Sequence, residues 1–267
     1  TTLYLYYDST HTTNSGYIGD TGETPAQSVW DDNFKAVYHL GQNPSGGITD
    51  AIIDSTDNVS HMTSAGSMTS ADLVDGKIGK AIDFDGGDDN LVSTATDFTF
   101  SGDFWISCIA KIDTGSTNDL VLKSVTNHDW NSATNGDYCF IIGGDLRPIF
   151  YIKGSTGNAG GGGTVISQDT YYQYDAIKIG NTITLYIDGV QSGNTSTYAG
   201  TVGNNNSLRV AYSQTNLTAG YFDGIVDEVR VMDVERAWST RSGPGTSRVS
   251  YLSGTSSIVV ECLVPAP

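Results

Sequence analysis

Apolar positions along this chain recur at a spacing of two, in short runs separated by Gly, Asn and Asp. A period near 3.6 is sustained nowhere, so the pattern predicts an all-β chain. The stretch Gly76–Val92 (GKIGKAIDFDGGDDNLV) shows the grammar most clearly. A glycine-rich approach leads into the apolar run Ala81–Phe84, and the acidic turn Asp85-Gly86-Gly87-Asp88-Asp89 reverses the chain into Asn90–Val92. β-Branched and aromatic residues suit a pleated, half-buried surface, and Asp and Gly adopt turn conformations that other residues resist.

The same reading places strands at Leu3–Tyr7, Phe34–Leu40, Asp103–Ile112, Leu120–Val125, Tyr138–Ile142 and Leu146–Ile152. It continues with Tyr172–Ile179, Ile183–Ile187, Leu208–Tyr212 and Phe222–Met232, then Ser247–Leu252 and Ser256–Val264. Asp103–Ile112 is apolar on both parities, which predicts a strand covered on both faces in the middle of a sandwich. Ile179-Gly180-Asn181-Thr182 predicts a hairpin turn, and Asp188-Gly189 closes a second strand. Met62–Asp75 is small and polar and reads as a loop, Ser155–Gly163 is too glycine-rich to pack, and Val234–Thr240 suits a single helical turn.

Composition narrows the function. The chain has 267 residues, 32 Gly, 6 Pro and a formal charge of −17 with only 13 Lys and Arg. Neutralising phosphates needs clustered cations, so nucleic acid is excluded as a partner. No apolar run approaches the roughly 20 residues that span a bilayer, so membrane insertion is not expected. Such acidity suits solubility, calcium or salt water. Cys108, Cys139 and Cys262 are odd in number, far apart and in apolar runs, which reads as small buried hydrophobes instead of a metal or disulfide pattern.

The expected organisation has three parts. Residues 1–27 form an N-terminal strand and linker, residues 28–240 the main sandwich, and residues 241–267 two C-terminal strands. Residues 1–8 and 247–264 are expected to pair as a small β appendage. The abrupt strand-like start suggests a fragment or processed product.

Five signatures then occur in order: YHLG (38–41), DSTDN (54–58), GKIGKAIDFDGGDD (76–89), LYIDG (185–189) and FDGIVDEVRV (222–231). Together they resemble the LamG-like jelly rolls of the concanavalin A-like, pentraxin and laminin-G superfamily, over roughly residues 34–240. Residues 1–27 resemble the end of a domain that often precedes such jelly rolls in exported proteins. The resemblance implies a two-sheet antiparallel β-sandwich with ligand sites on the concave face or rim loops, and often a structural calcium ion.

Asp227 shares parity with Ile225, Val229 and Val231, so a regular strand turns its carboxylate toward the core. A buried carboxylate must be hydrogen-bonded, protonated or metal-bound. Calcium, which takes six to eight oxygen ligands, suits it. The resemblance suggests Asp54, Asn58 and also Asp57 as companions; the turn Asp85–Asp89 is a second candidate, its alternative being a plain hairpin turn. The alternative is that Asp227 caps backbone N–H groups or forms an ion pair while 54–58 is a solvated turn.

A glycan ligand would be met by exposed aromatics and amides. Asp129, Trp130 and Asn131, with Asn135 in the same polar stretch, fit best, and Tyr212 joins Tyr171, Tyr198 and Tyr221 as further candidates. Trp30, Trp105 and Trp238 read as packing residues. Catalysis is not expected. Relatives of this fold that cleave β-glucans carry paired carboxylates on one strand, and glycoside hydrolysis needs two carboxyls roughly 5–9 Å apart. The glutamates Glu23, Glu228, Glu235 and Glu261 are not so placed, and the histidines stand apart without a nucleophile motif. The expected function is a non-catalytic carbohydrate-binding or adhesion module, secreted or surface-displayed, on a virion included. The alternatives are a structural or assembly protein whose terminal strands pair with copies of itself or neighbouring chains, and a glycan-cleaving enzyme.

Overall fold

The computed structural model of the chain describes residues 19–93, 95, 98–113, 118–123, 137–153, 164–203, 207–212 and 221–233. A four-residue helix, Thr24–Gln27, is followed by β1 (Phe34–Tyr38), β2 (Met62–Ala65), β3 (Leu73–Asp75), β4 (Lys80–Asp85), β5 (Asn90–Ser93) and β6 (Phe104–Ile112). Then come β7 (Asn118–Lys123), β8 (Tyr138–Ile142), β9 (Pro148–Ile152), β10 (Tyr171–Ile179) and β11 (Thr182–Ile187). The series ends with β12 (Val190–Gln191), β13 (Ser196–Thr197), β14 (Leu208–Val210) and β15 (Asp223–Met232).

These strands make two antiparallel sheets, a nine-stranded one in the order β12-β11-β10-β6-β15-β4-β3 and a six-stranded one in the order β2-β5-β14-β7-β8-β9. In the larger sheet β1 also pairs with β15, and β13 with β11. The sheets face each other across one apolar core. Ile106, Ala110, Val226 and Leu185 from the first meet Leu91, Phe140, Phe150 and Val210 from the second. Aromatic pairs bridge the layers, with ring centroids 6.3 Å apart for Phe104 and Tyr138 and 5.6 Å for Phe140 and Tyr174. The architecture is the jelly-roll β-sandwich that the alternating pattern and the resemblance predict.

β6 lies between β10 and β15 in the larger sheet, and of its outward side chains Trp105 and Ser107 are buried while Ile109 and Lys111 are half-buried. Both hairpins form where expected. Gly180-Asn181 joins Ile179 to Thr182, and Asp188-Gly189 joins Ile187 to Val190 with both φ angles positive, 49° and 74°. The polar stretch expected as a loop at Met62–Asp75 instead contains β2 and β3. Met62 reaches the core while Thr63 points out, and pairing with β5 supplies the backbone partners that a polar segment lacks by itself. Cys108 and Cys139 are buried, and neither is joined in a disulfide.

One feature departs from the parity reading. Between Asp227 and Arg230, β15 carries one residue more than its partner β6, a β-bulge, with Glu228 at φ +53°. Val226 faces the core before the bulge and Val229 and Val231 after it. Asp227, paired with Ile109, therefore points away from the core, not into it as even alternation predicts. The bulge also marks a seam: β15 pairs with β4 through Asp223–Val226 and with β1 through Val229–Met232.

Leu3–Tyr7, the appendage of residues 1–8 with 247–264, the turn at Val234–Thr240, Trp238 and Cys262 lie outside the described residues. So do Asp129, Trp130, Asn131 and Asn135. Among the described residues, no helix is long and apolar enough to cross a membrane.

Candidate functional site

The turn between β4 and β5 is built to gather carboxylates. Asp85 Oδ1 accepts the N–H groups of Gly87 at 2.7 Å and Asp88 at 3.3 Å, which closes the loop on itself. Asp88 Oδ1 accepts the backbone N–H and hydroxyl of Ser67 at 3.0 and 2.8 Å, tying the turn to the end of β2. Gly66 lies against this turn at φ +92°, and a Cβ there would overlap the Asp88 carbonyl.

Carboxylate oxygens of Asp85, Asp88 and Asp89 thus lie within 4.8 Å of one another. Asp89 is 2% exposed and Asn90 5%, and neither Oδ1 atom has a hydrogen-bond partner. Asn90 Nδ2 donates to the Asp88 carbonyl at 2.9 Å. Burial, with the Asp85 charge adding, pushes the Asp89 carboxyl up to about 6. Buried oxygens without donors, beside two further carboxylates, form a hard-oxygen donor set of the kind calcium prefers. The residues fit such an ion.

This turn carries the chain from β4 of the larger sheet into β5 of the six-stranded one. Leu208 and Val210 face the core, so Arg209 between them faces out, level with Val92 on β5 and Leu122 on β7. The register carries the row on to Cys139 and Tyr151. The Arg209 guanidinium lies over the Tyr212 ring at 4.0 Å, and Tyr212 meets Tyr221 edge-on at 5.9 Å. Tyr212 also packs on the apolar cluster of Cys139, Ile141, Ile149 and Tyr151. Burial raises the Tyr221 hydroxyl, Tyr212 and Asp88 raise it further, and Arg209 opposes them, so the aromatic patch and the acidic turn share one electrostatic neighbourhood.

The expected calcium set is not assembled this way. Asp54 is fully buried, and its carboxylate accepts four protein donors: Val37 N (2.9 Å) and Thr56 N (3.0 Å) on Oδ1, Thr56 Oγ1 (2.8 Å) and Ser60 N (3.0 Å) on Oδ2. A carboxylate has about four lone-pair sites, so none is left for a cation. Asn58 spends its amide N–H groups on the carbonyls of Phe34 (2.8 Å) and Lys35 (3.3 Å). The 54–58 loop therefore fastens itself to β1, a scaffolding role. Asp227 sits elsewhere, under the 76–79 turn, where Oδ2 accepts the Ile78 N–H at 2.8 Å and Oδ1 is unpartnered. Burial and the Glu228 charge raise its carboxyl to about 6 against the bonds from Ile78 and Lys77.

The outer face of the larger sheet carries two further buried carboxylates, Asp175 on β10 and Glu228 on β15, separated by β6 and so roughly 10 Å apart. Both are committed to protein donors. Asp175 accepts Trp105 Nε1 at 2.9 Å and Gln173 Nε2 at 3.2 Å; Glu228 holds His39 Nδ1 at 2.7 Å and Arg230 at 2.6 Å. Sequence reasoning had Tyr212 and the acidic turn but not Arg209, Asn90 or the His39–Glu228 pair. The outward parity of Arg209 in LRV was readable. The bulge that turns Glu228 toward His39 was not.

A family model described as the concanavalin A-like lectin/glucanases superfamily matches residues 85–240, more than half of the chain. Among solved structures, domain 4 of AbnA, a GH43 extracellular arabinanase from Geobacillus stearothermophilus, in complex with arabinotriose, is similar at a TM-score of 0.55 and 17% identity. That likeness covers 76% of this chain and 93% of that one. The botulinum neurotoxin serotype D binding domain is similar at 0.53 and 8%, covering 79% of this chain and 50% of that one. The binding domain of Paraclostridial Mosquitocidal Protein 1 is similar at 0.52 and 14%, covering 76% and 49%. At these identities the structural likeness establishes the fold. No curated protein matches the chain in sequence.

Proposed function

We propose that this chain, which belongs to the concanavalin A-like lectin/glucanases superfamily, is a non-catalytic carbohydrate-binding module that holds its glycan on the outer face of the six-stranded sheet. The observation that carries this reading is the Arg209 guanidinium stacked at 4.0 Å on Tyr212, with Tyr221 against it and the Asp85–Asp89 turn alongside. Aromatic rings meet the apolar face of a sugar, while Arg209 offers donors and Asp88 acceptors to its hydroxyls.

Asp85, Asp88 and Asp89, with Asn90, would hold a calcium ion. When bound, the ion would neutralise the crowded carboxylates and offer coordination sites to vicinal hydroxyls. A glycan partner is in keeping with the arabinotriose bound to the similar arabinanase domain. The reading as a binding module rests on the commitment of Asp175 and Glu228 to protein donors, which leaves neither carboxyl placed as an open acid or base. Secretion or surface display follows as the setting in which such a module meets polysaccharide.

Affinity electrophoresis tests the proposal. The chain should be retarded in gels containing soluble arabinan or another plant or bacterial polysaccharide, and Tyr212→Ala should restore its free mobility. Equal retardation of both proteins, or none in any gel, contradicts it.

A further inference from the structure

We infer that a cleft on the opposite side of the molecule, between residues 19–30 and the β1–β15 seam, is a second sugar site that takes one uncharged pyranose ring. The cleft has a volume of about 390 Å³ and is lined by Pro25, Val29, Trp30, His39 and Ser55 among others. That size falls within the roughly 300–1,000 Å³ usual for small-molecule sites.

Its walls are of two kinds. Trp30 presents its indole with Pro25 and the exposed Val29, and the ring is held by Phe34 edge-on at 4.9 Å and by the Arg230 guanidinium 5.9 Å from its centre. Opposite in character are His39 and Ser55. Ser55 is 2% exposed; its N–H donates to the Val37 carbonyl at 2.8 Å, but its hydroxyl has no partner. A buried hydroxyl without a protein partner is costly, and Ser55 is the residue of the cleft lining that carries one.

His39 is aimed by the seam. Its Nδ1 lies 2.7 Å from Glu228 Oε1, and a carboxylate can only accept, so Nδ1 carries the proton and Nε2 is left for the cleft. Glu228 itself is 6% exposed and holds a left-handed backbone, φ +53°, inside the bulge. Such a conformation in a residue other than glycine persists only where its surroundings over-determine it. Here the surroundings are His39 on one carboxylate oxygen and Arg230, 2.6 Å away, on the other.

The ligand class follows from the charges and surfaces. Glu228 and Arg230 neutralise each other, so the cleft offers no uncompensated charge to an ion. The exposed Glu23, Asp31 and Asp32 nearby, on a chain of net charge −17, repel anions. An indole wall with the His39 imidazole and Ser55 lining a small volume matches a neutral ring that is apolar on one face and hydroxylated at its edge.

The test uses the full chain labelled with ¹⁵N-tryptophan, titrated separately with methyl β-glucoside, methyl β-galactoside and methyl β-xyloside. The Trp30 indole resonance, assigned with Trp30→Phe, should shift saturably with at least one of them. Ser55→Ala should weaken that binding about fivefold and His39→Gln about tenfold, the scale of losing one hydrogen bond, with the remaining spectrum unchanged. Tyr212→Ala should leave the Trp30 shift intact, which separates this cleft from the sheet-face site. An unmoved Trp30 resonance with all three glycosides, or affinities indifferent to both Ser55→Ala and His39→Gln, overturns the inference.

Discussion

Glu228 Oε1 lies 2.7 Å from His39 Nδ1 at the point where β15 changes its neighbour from β4 to β1. The pair closes the seam in the larger sheet, with Arg230 completing it. Burial by itself would raise the Glu228 carboxyl, but the hydrogen bond from His39 and the charge of Arg230 outweigh it and hold the group below its ordinary value. Glu228→Ala strands Arg230 and His39 and should cost about 3 kcal/mol in chemical denaturation, as breaking a buried pair does. A lowered folded-state value means the contribution is present above the ordinary Glu value and is lost as pH falls through the folded one. The difference between the proteins should therefore shrink in acid below about pH 4.

Asp227 has the opposite sign. Its carboxyl is raised to about 6, so the folded state holds the proton more tightly than the unfolded chain. That contribution is full below the ordinary Asp value of about 3.9 and is lost as pH rises through the folded value. Asp227→Asn should gain stability relative to the parent between pH 4 and 7, by about 3 kcal/mol at roughly 1.4 kcal/mol per pH unit over a shift of about two units. Urea titrations at several pH values check it, and a constant difference would show that Asp227 does not titrate in this range.

Calcium should stabilise the fold through the β4–β5 turn. At a hundredfold excess over its dissociation constant a ligand adds about 2.7 kcal/mol, which corresponds to a Tm rise of roughly 5–10 °C for a domain this size. Chelator should reverse the rise, Asp89→Asn should abolish it, and Asp54→Asn should retain it. Gly66→Ala, by pressing on the Asp88 carbonyl, should weaken it without touching a carboxylate. Differential scanning calorimetry reads all four.

Gly76 is a close-approach position. A Cβ there would lie 2.7 Å from both Asp227 Oδ2 and the Ala81 Cβ. Gly76→Ala should cost about 1–3 kcal/mol by overpacking, and the Asp227→Asn background should not relieve it, since the shape at Oδ2 is unchanged. Thermal denaturation of the single and double variants is the check.

Much of this architecture is legible residue by residue. The apolar run of Phe104–Ile112 marks β6 as a largely buried strand, and Gly180-Asn181 and Asp188-Gly189 fix their hairpins, because these signals are local. What is not legible depends on distant partners. Met62–Ala65 is a strand only because β5 pairs with it. One extra residue at Glu228 reverses the parity on which the orientation of Asp227 was argued. Asp54 looks like a metal ligand in sequence, yet four donors brought by the fold fill its carboxylate. The acidic turn reads correctly as a cluster, but that Asp89 and Asn90 keep oxygens without donors follows from burial alone.

The central claim is that the Arg209–Tyr212 face recognises sugar. A glycan array probed with the parent chain and with an Arg209→Ala, Tyr212→Ala double variant of equal Tm measures it directly. The parent should bind a restricted set of glycans selectively, more weakly with chelator, and the double variant should bind none. Undiminished binding by the double variant, or a parent that binds no glycan at all, would contradict it.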